Sequence, residues 1–212
     1  MSEDFDAEAF RRRAGVSRET LQRFETWRRR LAERNAVVNL VGKSTLPDFW
    51  VRHALDSWQI YELAPDKPRW LDIGAGAGFP GLAVAFGLMD RGVAGADVAL
   101  VESIRKKADF LSDVVAETGA PARVLPVRAE SLDPDMRVDV VTARAVASLT
   151  KLIGYARPFV ENGAIALFPK GARHRDELTE ARKSWSLDLE VLASETAPDA
   201  AILKIERIAR VR

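Results

Sequence analysis

The chain has 212 residues, 47% of them hydrophobic and 30% charged, which is typical of a soluble globular protein with one sizeable core and an appendage. Its 32 basic and 31 acidic residues give a formal net charge of +1 and exclude global electrostatic steering toward nucleic acid, so such binding must come from local patches. The absence of cysteine excludes disulfides, thiolate zinc sites and cysteine nucleophiles.

The first six residues are acidic where a secretory signal is basic and then apolar, so we predict a cytoplasmic protein with no export segment. The longest uncharged run, from Ile73 to Met89, is short for a membrane span and contains several glycines and Pro80. It is interpreted as a loop and a buried helix, and no membrane association is predicted.

Residues 1–64 are predicted to be helical throughout, as one N-terminal segment packed on the remainder of the chain. Ser17 is the predicted N-cap of a first long helix. Its apolar residues recur at spacings of three to four and are Leu21, Phe24, Trp27, Leu31 and Val38. A second helix is predicted from Ser44 or Thr45 to Leu63, with Pro47 in its first turn. Two prolines within 65–68 place the domain boundary between residues 64 and 65.

From residue 65 to 212, apolar strand patterns alternate with helical patterns, which predicts an α/β domain with a mainly parallel sheet. The predicted strands are 69–73, 97–102, 123–127, 138–142, 163–168, 188–195 and 200–207. The predicted helices are 80–90, 104–118, 148–157 and 173–184. Only four residues separate the last two strands, so they are expected to form an antiparallel hairpin at the sheet end.

A glycine-rich loop follows the first predicted strand, where residues 70–81 read WLDIGAGAGFPG. Glycine tolerates positive φ and has no Cβ, so a strand can turn tightly into a helix and its backbone can approach a ligand. The helix that follows presents free N–H groups and a positive dipole end to the same place. The pattern predicts a nucleotide-cofactor loop, with a purely structural strand-to-helix turn as the alternative. Seven strands ending in a hairpin resemble the class I S-adenosylmethionine-dependent methyltransferase architecture, a Rossmann-like sheet, by analogy of fold.

The carboxyl ends of the parallel strands should meet in one crevice. There Glu102 is positioned to accept both ribose hydroxyls of a cofactor, or only to cap the next helix. Glu130 could accept from an adenine amino group or only begin a helix, and the backbone of Ala129 and Glu130 is the safer adenine contact. Phe79 could line the pocket or belong to the core. Asp72 is expected to bond the backbone N–H groups of the glycine turn rather than to act as a general base.

Basic residues and histidine offer fewer indications. Lys106, among three cations that open a helix, could contact phosphate or lie on a solvated face. His53 and Asp56 share a helix face and could serve catalysis, although a satisfied core histidine is commoner. His53 and His174 are the only histidines, so no histidine-based metal cluster is predicted. The runs 11–13 and 28–30 are arginines that could hold RNA phosphates or form ordinary surface.

Several longer segments resemble the RsmG family, also called GidB, of small-subunit ribosomal RNA methyltransferases that act on a guanine N7. The matching segments are Asn39-Leu40, the seven residues 51–57 (VRHALDS), the loop 71–81, residues 100–103 with Lys106-Lys107 and Phe110-Leu111, Arg128-Ala129-Glu130, and residues 141–149 (VTARAVASL). The segments 51–57 and 141–149 are more specific than the glycine loop.

The resemblance implies S-adenosylmethionine as the cofactor, held at Gly74, Phe79, Ala129, Glu130 and Arg144, with Gly76 and Glu102 beside them. It implies 16S rRNA or the 30S subunit as the partner, guanine 527 as the acceptor, and a monomeric enzyme. Arg52, His53, Lys106 and Lys170 are the candidate substrate contacts. The chain departs from the family pattern at Val41, usually threonine, and at Pro169, usually leucine, and both positions are expected to lie away from the crevice.

The N7 of guanine has a lone pair and no proton to remove, so the expected reaction is an in-line methyl transfer that depends on positioning and requires no general base. The chain lacks the Asn/Asp-Pro-Pro-aromatic run of exocyclic-amine methyltransferases, and Arg144 stands in its place. Arg144 is the candidate for orienting the cofactor or the guanine. A salt bridge to Asp139 or Glu130 is the alternative. Two other functions remain open, a non-catalytic ribosome-binding factor and a nicotinamide-dependent oxidoreductase.

Overall fold

The computed structural model describes residues 5–211, so residues 1–4 of the predicted N-terminal segment lie outside the described part. The helices are α1 (Ala7–Ala14), α2 (Arg18–Asn35), α3 (Asp56–Glu62), α4 (Gly81–Asp90), α5 (Arg105–Thr118), α6 (Leu149–Glu161) and α7 (His174–Ala181), with a π-helical segment at Phe49–Leu55 and short 3-10 turns at Lys43–Thr45 and Ala129–Ser131. The strands are β1 (Arg69–Ile73), β2 (Asp97–Val101), β3 (Ala122–Leu125), β4 (Val140–Thr142), β5 (Ile165–Lys170), β6 (Trp185–Ala193) and β7 (Ala201–Arg210). Within residues 5–211, none of the helices combines the length and the apolar character that crossing a membrane requires.

The seven strands form one sheet in the order β3-β2-β1-β4-β5-β7-β6. Strands β1 to β5 pair in parallel, whereas β7 runs antiparallel between β5 and β6. The predicted α/β class and the terminal antiparallel hairpin are therefore confirmed. The sheet order changes direction between β1 and β4, and this is the point at which doubly wound sheets bind their ligands.

Both faces of the sheet are covered, which is why the parallel strands are continuous apolar runs rather than alternating ones. Along β1, Trp70 joins a buried cluster with α4, α5 and the N-terminal helices. Leu71 and Ile73 join a second cluster with α6 and α7 on the opposite face. Burial on both faces holds the carboxyl ends of β1, β2 and β4 in a fixed arrangement.

The N-terminal helices pack against the segment that follows β1. The indole nitrogen of Trp27 donates to the carbonyl of Ala77 at 2.8 Å, and its ring centroid lies 4.5 Å from that of Phe79. The Tyr61 hydroxyl donates to the carbonyl of Gly87 in α4 at 2.9 Å. Residues on both sides of position 64 thus contribute to one cluster, and the boundary between residues 64 and 65 stays a prediction.

The expectation that residues 1–64 are helical throughout was wrong for the segment 36–48, in which only the short 3-10 turn at Lys43–Thr45 is helical. Helix α2 ends at Asn35, whose side-chain oxygen accepts from the backbone N–H groups of Leu40 at 2.8 Å and Val41 at 2.9 Å, so the chain reverses there. Val38 lies in this reversal instead of on the helix. The second helical stretch begins at Phe49, not at residue 44 or 45, and Pro47 therefore lies before it rather than in its first turn.

The turn between β6 and β7 reaches back to the N-terminal helices. The Thr196 hydroxyl donates to Asp56 Oδ1 at 2.7 Å, and the backbone N–H of Glu195 donates to the side-chain oxygen of Gln59 at 2.9 Å. The Glu195 carboxylate also pairs with Arg13 at 2.5 Å. The last two strands are therefore tied to the start of the chain on the side of the molecule that carries Asp56.

Candidate cofactor and substrate site

A cavity of about 620 Å³ lies at the carboxyl ends of β1, β2 and β4. Its lining comes from six regions of the chain. These are the glycine loop after β1, the segment 101–107 after β2, the segment 127–130 after β3, the segment 144–147 after β4, part of the N-terminal segment between residues 40 and 53, and Lys151 with Tyr155 of α6. The cavity is therefore the crevice that the strand order predicts.

The glycine loop brings backbone into the cavity wall. Gly74, Gly76 and Gly78 have φ values of 70°, 57° and 99°, which L residues with side chains rarely adopt. A Cβ on Gly74 would lie 2.3 Å from a methyl carbon of Val146, so the segment after β4 closes directly over this glycine. The loop needs glycine for close approach as well as for its turn.

Glu102 lies in the cavity wall and bonds the residue that precedes α5, while a ribose contact stays a prediction. The residue is 6% exposed, lines the cavity, and accepts from the backbone N–H of Gly76 at 3.1 Å and of Ile104 at 2.7 Å. The same carboxylate thus fixes the glycine loop and the start of α5 while facing the cavity. Its position fits a ribose contact without displacing the helix.

Ala129 and Glu130 also line the cavity, within the 3-10 turn that follows β3. The Tyr155 hydroxyl donates to Glu130 Oε1 at 2.6 Å, and this hydrogen bond lowers the pKa of the carboxyl. The tyrosine comes from α6, so the acidic residue is oriented from a helix far along the chain.

Phe79, His53 and Arg144 form a stack in the cavity wall. The imidazole of His53 lies on the Phe79 ring at a centroid distance of 4.5 Å and an angle of 18°. The guanidinium carbon of Arg144 lies 4.5 Å from the centroid of the same ring. Phe79 is only 4% exposed, so it is both a core residue and a lining residue.

Arg144 forms its ion pair with Asp56, at 2.9 Å, and not with Asp139 or Glu130. Its other contacts are the carbonyl of Arg52 at 3.2 Å and His53 Nδ1 at 3.2 Å. The predicted alternative partners were wrong because Asp139 is paired with Arg69 at the opposite end of β4. The true partner lies 88 residues earlier in the sequence.

Burial lowers the pKa of His53 to about 4, and the neighbouring Arg144 charge adds to the effect. The imidazole is therefore neutral near pH 7. Among residues 5–211, histidine and acidic side chains do not gather in any group of three that could hold a metal ion.

Asp72 lies beneath the glycine loop. Its Oδ2 accepts from the backbone N–H of Gly81 at 2.9 Å, at the first residue of α4. Within the described chain its Oδ1 is buried without a hydrogen-bond partner, and burial raises the pKa of this carboxyl to about 7. The expected role as an organiser of the loop fits this position, although the bond goes to the helix start and not to Gly74, Gly76 or Gly78.

The structure yields a pH prediction for Asp72. The pKa rises from an ordinary value of 3.8 to about 7 on folding, so the folded chain binds more protons between these pH values. The stabilisation from the protonated carboxyl is complete below pH 4 and is lost as the pH rises through 7, by about 2 kcal/mol between pH 5 and pH 7. For a chain of this size that corresponds to a decrease in Tm of about 4 to 8 °C relative to Asp72→Asn, which keeps the oxygen acceptor and has no charge. Thermal unfolding of both proteins over this range checks it, and parallel curves would contradict it.

The sequence did not identify the N-terminal part of the cavity wall. Leu40, Val41, Gly42 and Thr45 line the cavity although they precede β1 by more than twenty residues. Val41 was expected to lie away from the crevice, and this was wrong. It borders the crevice because the hydrogen bonds of the Asn35 side chain fold this segment back. The asparagine at the end of the helical pattern, followed seven residues later by Gly42, is the one signal that could have indicated the reversal.

The other candidate substrate contacts are separated by the fold. Arg52 is exposed, and its carbonyl anchors Arg144. Lys106 is exposed but does not line the cavity, whereas its neighbour Lys107 does. Lys170 lies outside the cavity, with 8% of its side chain exposed, and pairs with Glu177 at 2.7 Å. His53 and Arg52 are thus brought together beside Arg144, and the two lysines are not.

Comparison with known proteins identifies the family of this chain. Residues 20–201 match the family described as GidB, rRNA small subunit methyltransferase G. The chain belongs to this family. A Caulobacter vibrioides protein named ribosomal RNA small subunit methyltransferase G is 46% identical over 194 residues, which cover 92% of this chain and 87% of that protein. A protein of the same name from Rhodospirillum centenum is 45% identical over 206 residues, covering 97% and 92%.

Solved structures show the fold to which this member of the methyltransferase G family belongs. The O-methyltransferase TomG of Streptomyces achromogenes, solved in complex with SAM, superimposes with a TM-score of 0.58 at 14% identity, over 87% of this chain and 89% of that one. The tRNA (m1A58) methyltransferase TrmI of Aquifex aeolicus gives 0.55 at 15% identity, over 74% and 68%. The fold is therefore the class I S-adenosylmethionine-dependent methyltransferase fold.

Proposed function

We propose that this chain transfers a methyl group from S-adenosylmethionine to the N7 of a guanine in 16S rRNA, guanine 527 in the usual numbering. Membership of the rRNA small subunit methyltransferase G family is the observation that carries this proposal. The cavity at the point where the strand order changes direction supports it. In this proposal the protein acts in the cytoplasm, as a monomer, on the rRNA or on the 30S subunit.

The residues present fit the cofactor. A cavity of about 620 Å³ is within the usual range of about 300 to 1,000 Å³ for small-molecule sites. The glycine loop at Gly74 and Gly76 admits a ligand close to its backbone. We assign Glu102 to the ribose hydroxyls, and Ala129 and Glu130 to the adenine.

When bound, S-adenosylmethionine supplies a methyl group on a positively charged sulfur. The acceptor nitrogen carries no proton, so the chain needs no side chain to remove one, and the residues act by holding the reactants in line. The carboxylates of Glu102 and Glu130 line the same cavity and complement a cationic ligand.

Arg144 is assigned to orienting the cofactor or the guanine. Of its five N–H donors, one each goes to Asp56, the carbonyl of Arg52 and His53, which leaves two for a ligand among the contacts of residues 5–211. The O6 atom of guanine is an acceptor that arginine recognises readily. The ion pair and the stack on Phe79 hold the guanidinium at the cavity wall in one orientation.

The rRNA backbone is assigned to the rim of the cavity and not to the arginine-rich N-terminal helices. Four of the six arginines in the runs 11–13 and 28–30 are paired, since Arg11 contacts Glu8, Arg13 contacts Glu62 and Glu195, and both Arg29 and Arg30 contact Glu117. By contrast, Arg128 and Lys151 are both exposed at the cavity, and within the described residues neither has a salt-bridge partner. Cations without carboxylate partners are the ones available to phosphate.

The test uses small subunits from cells that lack this protein, incubated with the purified chain and S-adenosylmethionine carrying a labelled methyl group. The expected result is label on the N7 of a single guanine of 16S rRNA. Label on an adenine, a pyrimidine or protein would refute the substrate. Calorimetric titration separates the two alternatives, because a nicotinamide-dependent oxidoreductase binds NAD, and a non-catalytic ribosome-binding factor binds neither NAD nor S-adenosylhomocysteine.

A further inference from the structure

His53 lies between Arg144 and the N-terminal part of the cavity wall. Its Nδ1 is 3.2 Å from Arg144 Nη2, and its Nε2 is 3.1 Å from the Thr45 hydroxyl. A guanidinium has only donors, so the Nδ1 atom must accept this hydrogen bond and cannot carry a hydrogen. The proton of the neutral ring is therefore on Nε2.

The other end of the contact requires the same tautomer independently. The Thr45 hydroxyl donates its single hydrogen to the carbonyl of Gly42 at 2.8 Å. It can then only accept from His53, which requires a hydrogen on Nε2. Arg144, His53, Thr45 and Gly42 thus form a chain of three hydrogen bonds that all run in one direction.

We propose that His53 is a positioning residue that couples the orientation of the Arg144 guanidinium to the wall segment 40–45. One-way hydrogen bonds fix both neighbours, because neither can be reversed without leaving a donor facing a donor. The inference rests on the proposed function in one respect, namely that the cavity between Arg144 and segment 40–45 receives the methyl donor and the guanine. His53 itself neither touches the reacting atoms nor moves a proton.

The chain of hydrogen bonds from Arg144 through His53 and Thr45 to Gly42 is called the relay below, although it transfers no proton. The groups around His53 keep its imidazole neutral. The charged groups that face the imidazole are Arg144 and Arg52, which disfavour a second proton, and Asp56, which favours it. The carboxylate of Asp56 is already engaged by Arg144 and by Thr196. The stack on Phe79 removes the ring from water, and burial is the largest effect.

The first measurement is the tautomer itself, read from the nitrogen chemical shifts of His53 in protein labelled with 15N at histidine. The second histidine, His174, lies on α7 and is assigned by its own substitution. The expected spectrum shows a protonated Nε2 and an unprotonated Nδ1 from pH 8 to pH 6. A protonated Nδ1, or a doubly protonated ring over this range, would overturn the proposal. This readout does not depend on methyltransferase activity.

The second measurement is a double-mutant cycle with the enzyme variants His53→Phe and Thr45→Val, in which methyl transfer to small ribosomal subunits is measured. His53→Phe keeps an aromatic ring for the stack on Phe79 and removes both hydrogen bonds, while Thr45→Val keeps the shape of threonine and removes the hydroxyl. Each variant is expected to lose about tenfold or more in kcat/KM, and the double variant no more than His53→Phe alone, because the bonds act in series. Wild-type kcat/KM in His53→Phe, or losses that multiply in the double variant, would contradict the relay.

The two proposals fail in distinguishable ways. If the wild-type chain does not methylate guanine N7, the proposed function fails, while the His53 tautomer and a shift of the Nε2 signal alone in Thr45→Val still decide whether the chain of hydrogen bonds exists. If the wild-type chain methylates guanine N7 and the tautomer is the opposite one, only the relay fails. Far-ultraviolet circular dichroism and Tm of each variant identify any loss of folding, and Thr45→Ser, which retains the hydroxyl, should retain the wild-type nitrogen shifts.

Discussion

Replacing Gly76 with aspartate is expected to reduce the affinity for S-adenosylhomocysteine by about a hundredfold or more while the chain stays folded. The backbone N–H of Gly76 holds the Glu102 carboxylate at 3.1 Å, so a second carboxylate here repels the first and occupies cavity space. Such a juxtaposition of like charges costs several kcal/mol. Isothermal titration calorimetry with S-adenosylhomocysteine measures the loss.

The fold should tolerate this substitution. The nearest atom to a Cβ at Gly76 is the carbonyl oxygen of Gly74 at 3.7 Å, which is an ordinary contact. The cost of a φ of 57° is about 1 to 2 kcal/mol for a residue with a side chain, and aspartate is among the residues that accept it best. Gly92→Asp is the matched control, since its φ is 61° and a Cβ there meets nothing within 4 Å. Equal affinity in the two variants would mean that the cavity is not the cofactor site.

Replacing Arg144 with alanine is expected to lower kcat/KM by about a hundredfold to a thousandfold, as observed when an enzyme loses a preorganised donor at the reacting centre. The change removes the ion pair at 2.9 Å to Asp56, the donor to His53 and the cation over Phe79 together. Arg144→Lys should recover little, because one ammonium cannot reproduce the fork that reaches Asp56 and His53 at once. Rates on small subunits measure both variants.

Substitution of a surface arginine is the control that distinguishes a loss of stability from a loss of activity. Arg157 pairs with Glu161 on α6 with 39% of its side chain exposed, so Arg157→Ala should keep wild-type rates and nearly wild-type Tm. Leaving the half-buried carboxylate of Asp56 without its cation lowers the Tm of Arg144→Ala, and rates are therefore compared at a temperature where both variants are folded. An Arg144→Ala variant that is folded and retains the wild-type rate would exclude this guanidinium from the site.

The sequence predicted the sheet well because its strands have strong local patterns of apolar residues. A buried parallel strand is recognised as a short apolar run. The glycines after β1 indicate the turn because glycine adopts positive φ at no steric cost. The terminal hairpin followed from a four-residue connection. These features depend on neighbours in the sequence, so they could be recognised without any knowledge of distant contacts.

The parts that sequence reasoning missed depend on distant contacts. Asp56 could not be assigned to Arg144 because its partner lies in a loop after β4, and several other carboxylates were equally available in the sequence. The contribution of segment 40–45 to the cavity follows from one side chain, Asn35, which bonds two backbone groups five and six residues later. No periodicity reveals such a bond. The tautomer of His53 likewise requires both of its neighbours to be known.

The contact of Trp27 with Ala77 and Phe79 has a consequence for how this molecule can be engineered or can diverge. The Trp27 indole donates a hydrogen bond to the carbonyl of Ala77, in the loop that follows β1 and lines the cavity. The N-terminal helices therefore help to fix the conformation of that loop. A chimera that joins the sheet of this chain to the N-terminal helices of another protein would keep the glycines of the loop but lose the Trp27 contacts that hold the loop in shape. The N-terminal helices and the loop that lines the cavity must therefore be transferred together.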